Sequence, residues 1–384
     1  MTRITEPWLT ERASQAVCAM LTEAGHQAWF VGGCVRNALI GAPVSDLDIS
    51  TDARPDRVMA LADDAGFKSV STGIDHGTVT IVAQGSVFEV TTFRKDVETD
   101  GRRAIVAFAD RMEDDAHRRD FTMNALYAGP DGVVVDPLGG LPDLAARRVR
   151  FIDDPHDRIR EDYLRILRFF RFHAWYGDAD GGLDANGLAA CAELAEGVDT
   201  LSRERIGHEM RRLLAAPDPA PSVAAMVRAG ILARVLPGAS DPALGVLVHV
   251  EQQAGLVPDA MRRLAILGGE DVVTRLRLSR DEAKRRKTLI DGVADGQDAG
   301  ELGYRQGADT ALDILALRSA LAGHEIDPVS AQDARFGAGQ TCPVTASDLM
   351  PGLSGPALGR RLAGLESRWI ASGFTLSRAD LLGS

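Results

Sequence analysis

The 384 residues are 45% hydrophobic and 26% charged, the balance of an ordinary folded chain with room for two or more packed units. The formal net charge of −12, taken alone, argues against a nucleic-acid partner. The total sign is a weak guide, because a ligand feels the local field. Two tracts are basic: eight arginines against five acids from Arg147 to Arg171, and nine basic residues against four acids from Arg262 to Lys287. The alternative is that these are solvated helix faces, which suits the second tract better. Cys18, Cys34, Cys191 and Cys342 have no metal-ligand spacing and read as reduced thiols of a cytoplasmic protein. No apolar h-region opens the chain, and no apolar run reaches the length of a membrane span.

Glu6 to Ala24 has helical spacing and ends at Gly25. Ala28-Trp29-Phe30-Val31 is a short apolar run, expected as a buried strand. It stops at Gly32-Gly33, where the backbone can turn sharply and approach a ligand closely. Cys34 to Ile40 then has helical character, ended by Gly41 and Pro43. The glycines therefore sit at a helix N-terminus, where free N–H groups and the dipole favour a phosphate. Arg36 lies in the first turn, with a planar fork that suits phosphate oxygens. Ser45-Asp46-Leu47-Asp48-Ile49-Ser50 follows as a strand. Residues i and i+2 share a face, so Asp46 and Asp48 point together, roughly 7 Å apart at the backbone. Adjacent carboxylates repel unless a cation lies between them, and hard oxygen ligands suit Mg²⁺. A glycine turn alone is often only a turn, and Asp-x-Asp is often turn chemistry. In succession they point to a nucleoside triphosphate with a metal.

Pro55 opens a helix that runs to Ala65 and stops at Gly66. Residues 67–71, 77–82 and 87–93 are rich in β-branched side chains and are separated by Gly73 and Gly85. They suggest a small mixed sheet with helices rather than repeated βαβ units. Glu89 is the odd residue of its strand. It is either an edge charge facing water or a third carboxylate beside Asp46 and Asp48. Arg94 to Met112 is polar and reads as a flexible loop with a short strand. Asp136-Pro137-Leu138-Gly139-Gly140 closes the first domain with turn chemistry.

Beyond residue 140 the strand signals disappear. Arg158 to Ala174 reads as one helix, with Leu164, Leu167 and Phe170 as an apolar stripe. Glu161, Asp162, Arg165, Arg168 and Arg171 form a polar ridge. Leu201 to Leu214 starts at Ser202, a candidate cap; Arg205 and Glu209 read as structural, and His208 has no ligand-forming partner. Ser279-Arg280-Asp281-Glu282 is a capping box before a basic helix. Residues 351–356, with Gly352 and Gly355, read as a plain loop before a helix through Trp369; the other possibility is a phosphate contact.

Gly32-Gly33-x-Val35-Arg36 followed by Asp46-x-Asp48 resembles the signature of the class II tRNA nucleotidyltransferase and bacterial poly(A) polymerase family. Arg118-Arg119-Asp120-Phe121-Thr122-Met123-Asn124-Ala125-Leu126 resembles its second motif. Glu161-Asp162-x-x-Arg165 with its trailing arginines resembles a third, and Leu201 to Leu214 the next. The likeness covers residues 1–215 closely and the rest only in pattern. One departure is Asn37, where the family usually has Asp; this bears on local hydrogen bonding rather than on the metal pair.

The resemblance implies an α+β chain. A nucleotidyltransferase-type head of mixed sheet and helices would occupy residues 1–140. A helical nucleotide-recognition neck would follow over 141–215, a helical body over 216–300 and a helical RNA-binding tail over 301–384. It implies addition of C, C and A to the 3′ end of tRNA from CTP and ATP, without a nucleic-acid template. Asp46 and Asp48 would hold Mg²⁺ in a two-metal mechanism, with Glu89 as a further catalytic carboxylate. Gly32, Gly33, Arg36 and Arg119 would position triphosphate and ribose, with Asp120 holding Arg119. Asp162 and Arg165 would read the base, and Arg168 and Arg171 would support the phosphates and the pair. The segment Arg94 to Met112 is full length, as in members that add adenosine.

The reading pair has a chemical logic. A carboxylate only accepts and a guanidinium only donates. Cytosine and adenine both present an amino donor beside a ring-nitrogen acceptor; uracil and guanine present the reverse. A wrong base would leave buried polar groups unpaired, at roughly 1–3 kcal/mol each. On helical spacing, Asp162 and Arg165 are i,i+3 neighbours, which is also the geometry of an ordinary surface ion pair.

The alternatives within the family are a poly(A) polymerase and a partial enzyme adding only CC or only A. The former is disfavoured by the lack of a long basic extension before Ser384. A non-catalytic RNA-binding protein is the alternative from another class. A dinucleotide-dependent oxidoreductase is disfavoured, because the turn lacks G-x-G-x-x-G. No His-Asp metal pattern suggests a fused phosphohydrolase.

Overall fold

Alternation of buried and half-exposed residues builds the first part of the chain. A computed structural model describes residues 2–73, 77–99, 104–178, 180–350 and 352–383. Its strands are β1 (Trp29–Val31), β2 (Leu47–Thr51), β3 (Lys68–Gly73), β4 (Thr78–Ala83), β5 (Ser86–Thr92), β6 (Arg94–Thr99), β7 (Ala104–Phe108), β8 (Tyr127–Ala128) and β9 (Val134–Val135). Seven of them form one sheet in the order β3-β4-β5-β2-β1-β8-β9. β2 and β5 run parallel and the other neighbours antiparallel. Phe30, Ile49, Val79, Ile81, Phe88 and Val90 are buried in this sheet. The helices Arg12–Thr22 and Pro55–Asp64 pack on it. Their apolar residues Val17, Leu21, Val58 and Ala62 are buried. Opposite side-chain positions on the same strands are left for polar chemistry.

The α+β architecture expected from the sequence is present. Four local expectations are refined. The first helix is broken at Glu11 into Pro7–Thr10 and Arg12–Thr22. The segment after Phe93 is not a loop with one strand: β6 and β7 pair antiparallel, and a helix, Met112–His117, follows. Residues 100–103, the centre of that segment, lie outside the described residues, as does Pro351 in the expected loop before the helix Gly355–Ala371. Glu89 does not lie on an edge strand, since β5 is flanked by β4 and β2.

The fourth refinement concerns the helix expected from Arg158 to Ala174. It is two helices, Pro155–Glu161 and Leu164–Tyr176, with Asp162 extended between them at φ −155° and ψ 104°. Asp154 caps the first by accepting the N–H groups of His156 and Asp157, and Pro155 supplies its first residue. The second is fixed by aromatic packing. Phe121 lies 4.9 Å from Phe172, and Phe151 stacks on Phe169 at 5.3 Å between ring centroids.

The chain divides into two compact units, Met1–Glu209 with Pro221–Val235, and Met210–Ala220 with Leu236–Ser384. In the second unit the helix Ala308–Ala322 is buried through its central stretch, Ala311 to Leu317 with Ser319 and Ala320. Ile314 and Leu317 meet Leu247, Val250, Leu289 and Leu302 in its core. Toward the C-terminus, Val344, Leu365, Trp369, Ile370 and Leu381 form a separate apolar cluster. Ser279 and Glu282 form the expected capping box. Among the described residues no helix is long and apolar enough to cross a membrane.

Candidate active site

The glycine turn is built as its sequence suggests. Gly32 follows β1 with φ +73° and ψ −121°, a conformation that disfavours any side chain, and the helix Gly33–Ile40 starts immediately after it. A Cβ at Gly32 would stand 3.4 Å from Nη1 of Arg119. The Arg119 guanidinium therefore lies against the turn, and it is the positive φ rather than crowding that calls for glycine at this position.

Asp48 is the second residue of β2, and Asp46 directly precedes that strand. Parallel pairing sets Asp48 opposite Glu89 on β5, and Thr80 on β4 stands beside Glu89 in turn. Registered residues project from the same face, so Asp48 and Glu89 are lateral neighbours. Burial, then the negative charge of Glu89, push the Asp48 carboxyl up to about 6; Arg119 opposes this and Asp46 adds to it. Asp46 is exposed and accepts a hydrogen bond from Ser45 Oγ at 2.8 Å. Among the described residues no three His, Cys, Asp or Glu side chains converge as a closed metal cage. An open carboxylate pair fits a small hard cation that keeps waters and substrate phosphates in its shell. The repulsion at Asp48 is what such a cation would relieve.

Arg119 is a cation whose charge acts on Asp48. It donates to Asp115 Oδ2 at 2.9 Å, to Tyr127 OH at 3.2 Å and to Ser50 Oγ at 3.3 Å. Burial works against its charge, but Tyr127 and Asp115 outweigh it and hold the guanidinium above its ordinary range. The residue that holds Arg119 is thus Asp115 and not, as expected, Asp120. Asp120 instead accepts from Arg168, Nε at 2.7 Å and Nη2 at 2.5 Å, and from Asn124 Nδ2 at 2.9 Å. Burial raises its carboxyl, yet Arg168 and Asn124 more than compensate and bring it down to about 2.

Arg119, Asp120, Asp162, Arg165, Arg168 and Arg205, with Arg94, Arg118 and Leu164, line one cavity of about 320 Å³. Six of the nine lining residues are arginines and two are acids, so the lining is rich in positive charge. Asp162 and Arg165 both reach it, though not as neighbours on one continuous helix. Asp162 Oδ1 accepts the Leu164 N–H at 3.1 Å, and Oδ2 accepts from Arg205 at 2.7 Å. Arg165 donates to Glu161 at 2.5 Å and to the carbonyls of Arg158 and Arg118 at 2.8 and 2.9 Å. Glu161 also pairs with Arg158.

Two of the expected phosphate ligands are engaged inside the protein. Arg36 is buried. It donates to Asn124 Oδ1 at 2.5 Å and to Asn37 Oδ1 at 2.9 and 3.1 Å, and its guanidinium lies 3.9 Å from the Tyr176 ring centroid. Burial lowers its pKa. Asn37 passes the tie onward, donating to the Pro43 carbonyl at 2.7 Å. Arg171 is also buried and donates to Glu209 at 2.5 Å. The sequence reading missed Asp115, Tyr127, Arg94 and Arg118. Asp115 could have been found as the acid four residues before Arg119 on a helix end; nothing local marks Arg94.

Comparison with known proteins follows from this geometry. Residues 28–150 match the family model described as poly A polymerase head domain. Residues 183–241 match that of a probable RNA and SrmB-binding site of polymerase A. The chain is 39% identical over 201 residues to the human CCA tRNA nucleotidyltransferase 1, mitochondrial, covering 52% of this chain and 46% of that protein. It is 32% identical over 330 residues to the CCA-adding enzyme of Geobacillus kaustophilus (strain HTA426), covering 81% and 78%. The chain spans about half the length of several other curated relatives it matches, for example 54% of the CCA-adding enzyme of Geobacillus thermodenitrificans. The solved structure of the Bacillus stearothermophilus CCA-adding enzyme in complex with CTP is similar, with a TM-score of 0.73, 25% identity and coverage of 96% and 94%.

Proposed function

The chain belongs to the family of CCA-adding enzymes, and on that premise we propose that it adds C, C and A to the 3′ end of tRNA from CTP and ATP. The observation that carries this reading is one compact unit holding three things. These are a glycine turn at a helix start, a carboxylate pair in register, and an arginine-rich cavity that also contains Asp162 and Arg165.

In this reading the 3′-hydroxyl of the RNA attacks the α-phosphate in line, and pyrophosphate leaves. The family generally uses divalent metal ions; here Asp46 and Asp48 would hold Mg²⁺, with Glu89 beside them. When bound, the metal supplies Lewis-acid polarisation of the reacting oxygens and neutralises phosphate charge. The Gly32 N–H is turned to the Leu126 carbonyl at 3.4 Å, so the Gly33 N–H at the helix start would donate to phosphate oxygens, with Gly32 providing the turn. Arg119 supplies fixed positive charge to triphosphate and ribose. Arg168, held by Asp120, faces the same cavity. Arg36 and Arg171 act by positioning, tying the turn and the helix Leu164–Tyr176 in place. Asp162 and Arg165 read the Watson–Crick edge, accepting C and A. Residues 1–140, 141–215, 216–300 and 301–384 act as head, neck, body and tail, and the helical part grips tRNA through phosphate and shape. Location in the cytoplasm accords with the buried free thiols Cys18, Cys34 and Cys191.

The test is extension of tRNAs that end before CCA, after C and after CC, each offered single labelled nucleotides with Mg²⁺. Addition of C, C and then A, stopping there, is expected. Open-ended adenosine runs would show a poly(A) polymerase, arrest after CC a partial enzyme, and no incorporation a non-catalytic RNA-binding protein.

A further inference from the structure

Asp162 carries the acceptor half of the base-reading pair, yet it sits where a side chain is least constrained. It is the single extended residue between two helices. One oxygen is fixed locally, by the Leu164 N–H at 3.1 Å. The other is fixed from a distant part of the sequence, by Nη2 of Arg205 at 2.7 Å. With both oxygens held, the plane of the carboxylate is set, and each oxygen keeps a further lone pair for a base.

The reach of Arg205 is itself preset. It lies in the first turn of the helix Arg203–Leu214, where its N–H approaches Ser202 Oγ at 3.4 Å. Four residues on, on the same helix face, Glu209 holds Arg171 of the helix Leu164–Tyr176 in a buried ion pair at 2.5 Å. The buried tie fixes the register of the two helices, and Arg205 projects from it into the wall of the arginine-rich cavity. As a stabilising contact the Arg205–Asp162 pair is poor. The two side chains are 47% and 35% exposed, and ion pairs of that exposure contribute little to folding. Its geometry makes sense as orientation of an acceptor.

We propose that Arg205 is a specificity-determining positioning residue, which aims the Asp162 carboxylate at the amino group of an incoming cytosine or adenine. The inference rests on the reading of Asp162 and Arg165 as the base-recognising pair. Arg205 fixes the acceptor as Glu161 fixes the donor Arg165. Loss of Arg205 frees the carboxylate to rotate, so the penalty against uracil, which depends on a fixed acceptor meeting a carbonyl, falls first.

The test uses the full chain with tRNA ending before CCA and measures kcat/KM for CTP and for UTP. Arg205→Gln, Arg205→Lys and Asp162→Asn are compared, with thermal unfolding recorded for each. The expected result is a CTP-to-UTP ratio about tenfold lower in Arg205→Gln. Arg205→Lys recovers part of the ratio, and the unfolding midpoints are unchanged. If Arg205→Gln lowers both substrates in proportion while Asp162→Asn collapses the ratio, Arg205 has no part in recognition and the proposal fails alone. If Asp162→Asn also leaves the ratio intact, the base-reading assignment falls, and the proposal with it.

Discussion

Asp48 and Glu89 stand opposite each other on the parallel strands β2 and β5. They lie far apart in the sequence, and hydrogen-bond register makes them neighbours. Because burial and Glu89 raise the Asp48 carboxyl to about 6, a divalent cation binding there would have to displace a proton whenever the pH is lower. Without metal, ionising Asp48 costs the fold, so stability from this group declines as pH rises from its ordinary value of 3.8 through about 6. Mg²⁺ held by Asp48 would reverse the sign, since the cation favours the ionised form. The rise in thermal midpoint on adding Mg²⁺ should be full above about pH 7 and fade toward about pH 5. Asp48→Asn should remove it. A Mg²⁺ effect equally large at both pH values would rule out Asp48 as a ligand.

Asp120 and Arg168 give a second pH dependence with the opposite sense. The folded-state carboxyl lies at about 2 against an ordinary 3.8. Its contribution, about 2 kcal/mol, is therefore present above pH 4 and lost as pH falls through about 2. Asp120→Asn should cost about 2–3 kcal/mol near neutrality, because Arg168 loses its counter-charge. The gap to the unmodified protein should close in acid. Urea unfolding at a series of pH values measures it, and a gap independent of pH would remove the ion pair as its cause.

Much of the site was legible because its motifs are local. The turn at Gly32, the strand at Asp48 and the arginines of the third motif follow from residues close in sequence. What was not legible depends on partners far apart. Register placed Glu89 beside Asp48. Asp120 chose Arg168, forty-eight residues away, over its neighbour Arg119. Periodicity alone drew one helix across Asp162, since an extended residue between two helices leaves the apolar spacing of Leu164, Leu167 and Phe170 unchanged. Arg36 looked like a phosphate ligand from its position in the first turn, but Tyr176 and Asn124 take up its guanidinium.

Asn37 makes Arg36 a test of how this family motif is balanced. The amide accepts twice from Arg36 and donates once to the Pro43 carbonyl. Asn37→Asp would replace a neutral acceptor with an anion beside a buried cation, at the cost of the Pro43 bond, which lies at an exposed position where water can replace it. The expected outcome is a gain of about 1 kcal/mol in urea unfolding, with nucleotide incorporation retained. A loss of stability would mean that the Pro43 bond, holding the segment before Asp46, matters more than the charge on Arg36.

The second unit has its own buried charge cluster, and it predicts the largest stability effect. Glu251 lies between Arg262 and Arg263, at 2.8 and 2.7 Å, and all three side chains are almost fully buried. Arg263 also donates to the carbonyls of Leu214, Ala216 and Pro217, closing the end of the helix Arg203–Leu214. Arg262 reaches Asp313 on the central helix Ala308–Ala322. Glu251→Gln keeps the volume but leaves two buried guanidinium groups with one carboxylate fewer, which costs about 3–5 kcal/mol. With two compact units a single transition is not assured, so amide exchange gives the cleaner reading. Protection should fall across the helix Ala308–Ala322 while the sheet strands β2 and β5 keep theirs. Equal loss in both units would mean that Glu251 supports the whole chain. A change below about 1 kcal/mol would show that solvent already satisfies the pair of arginines.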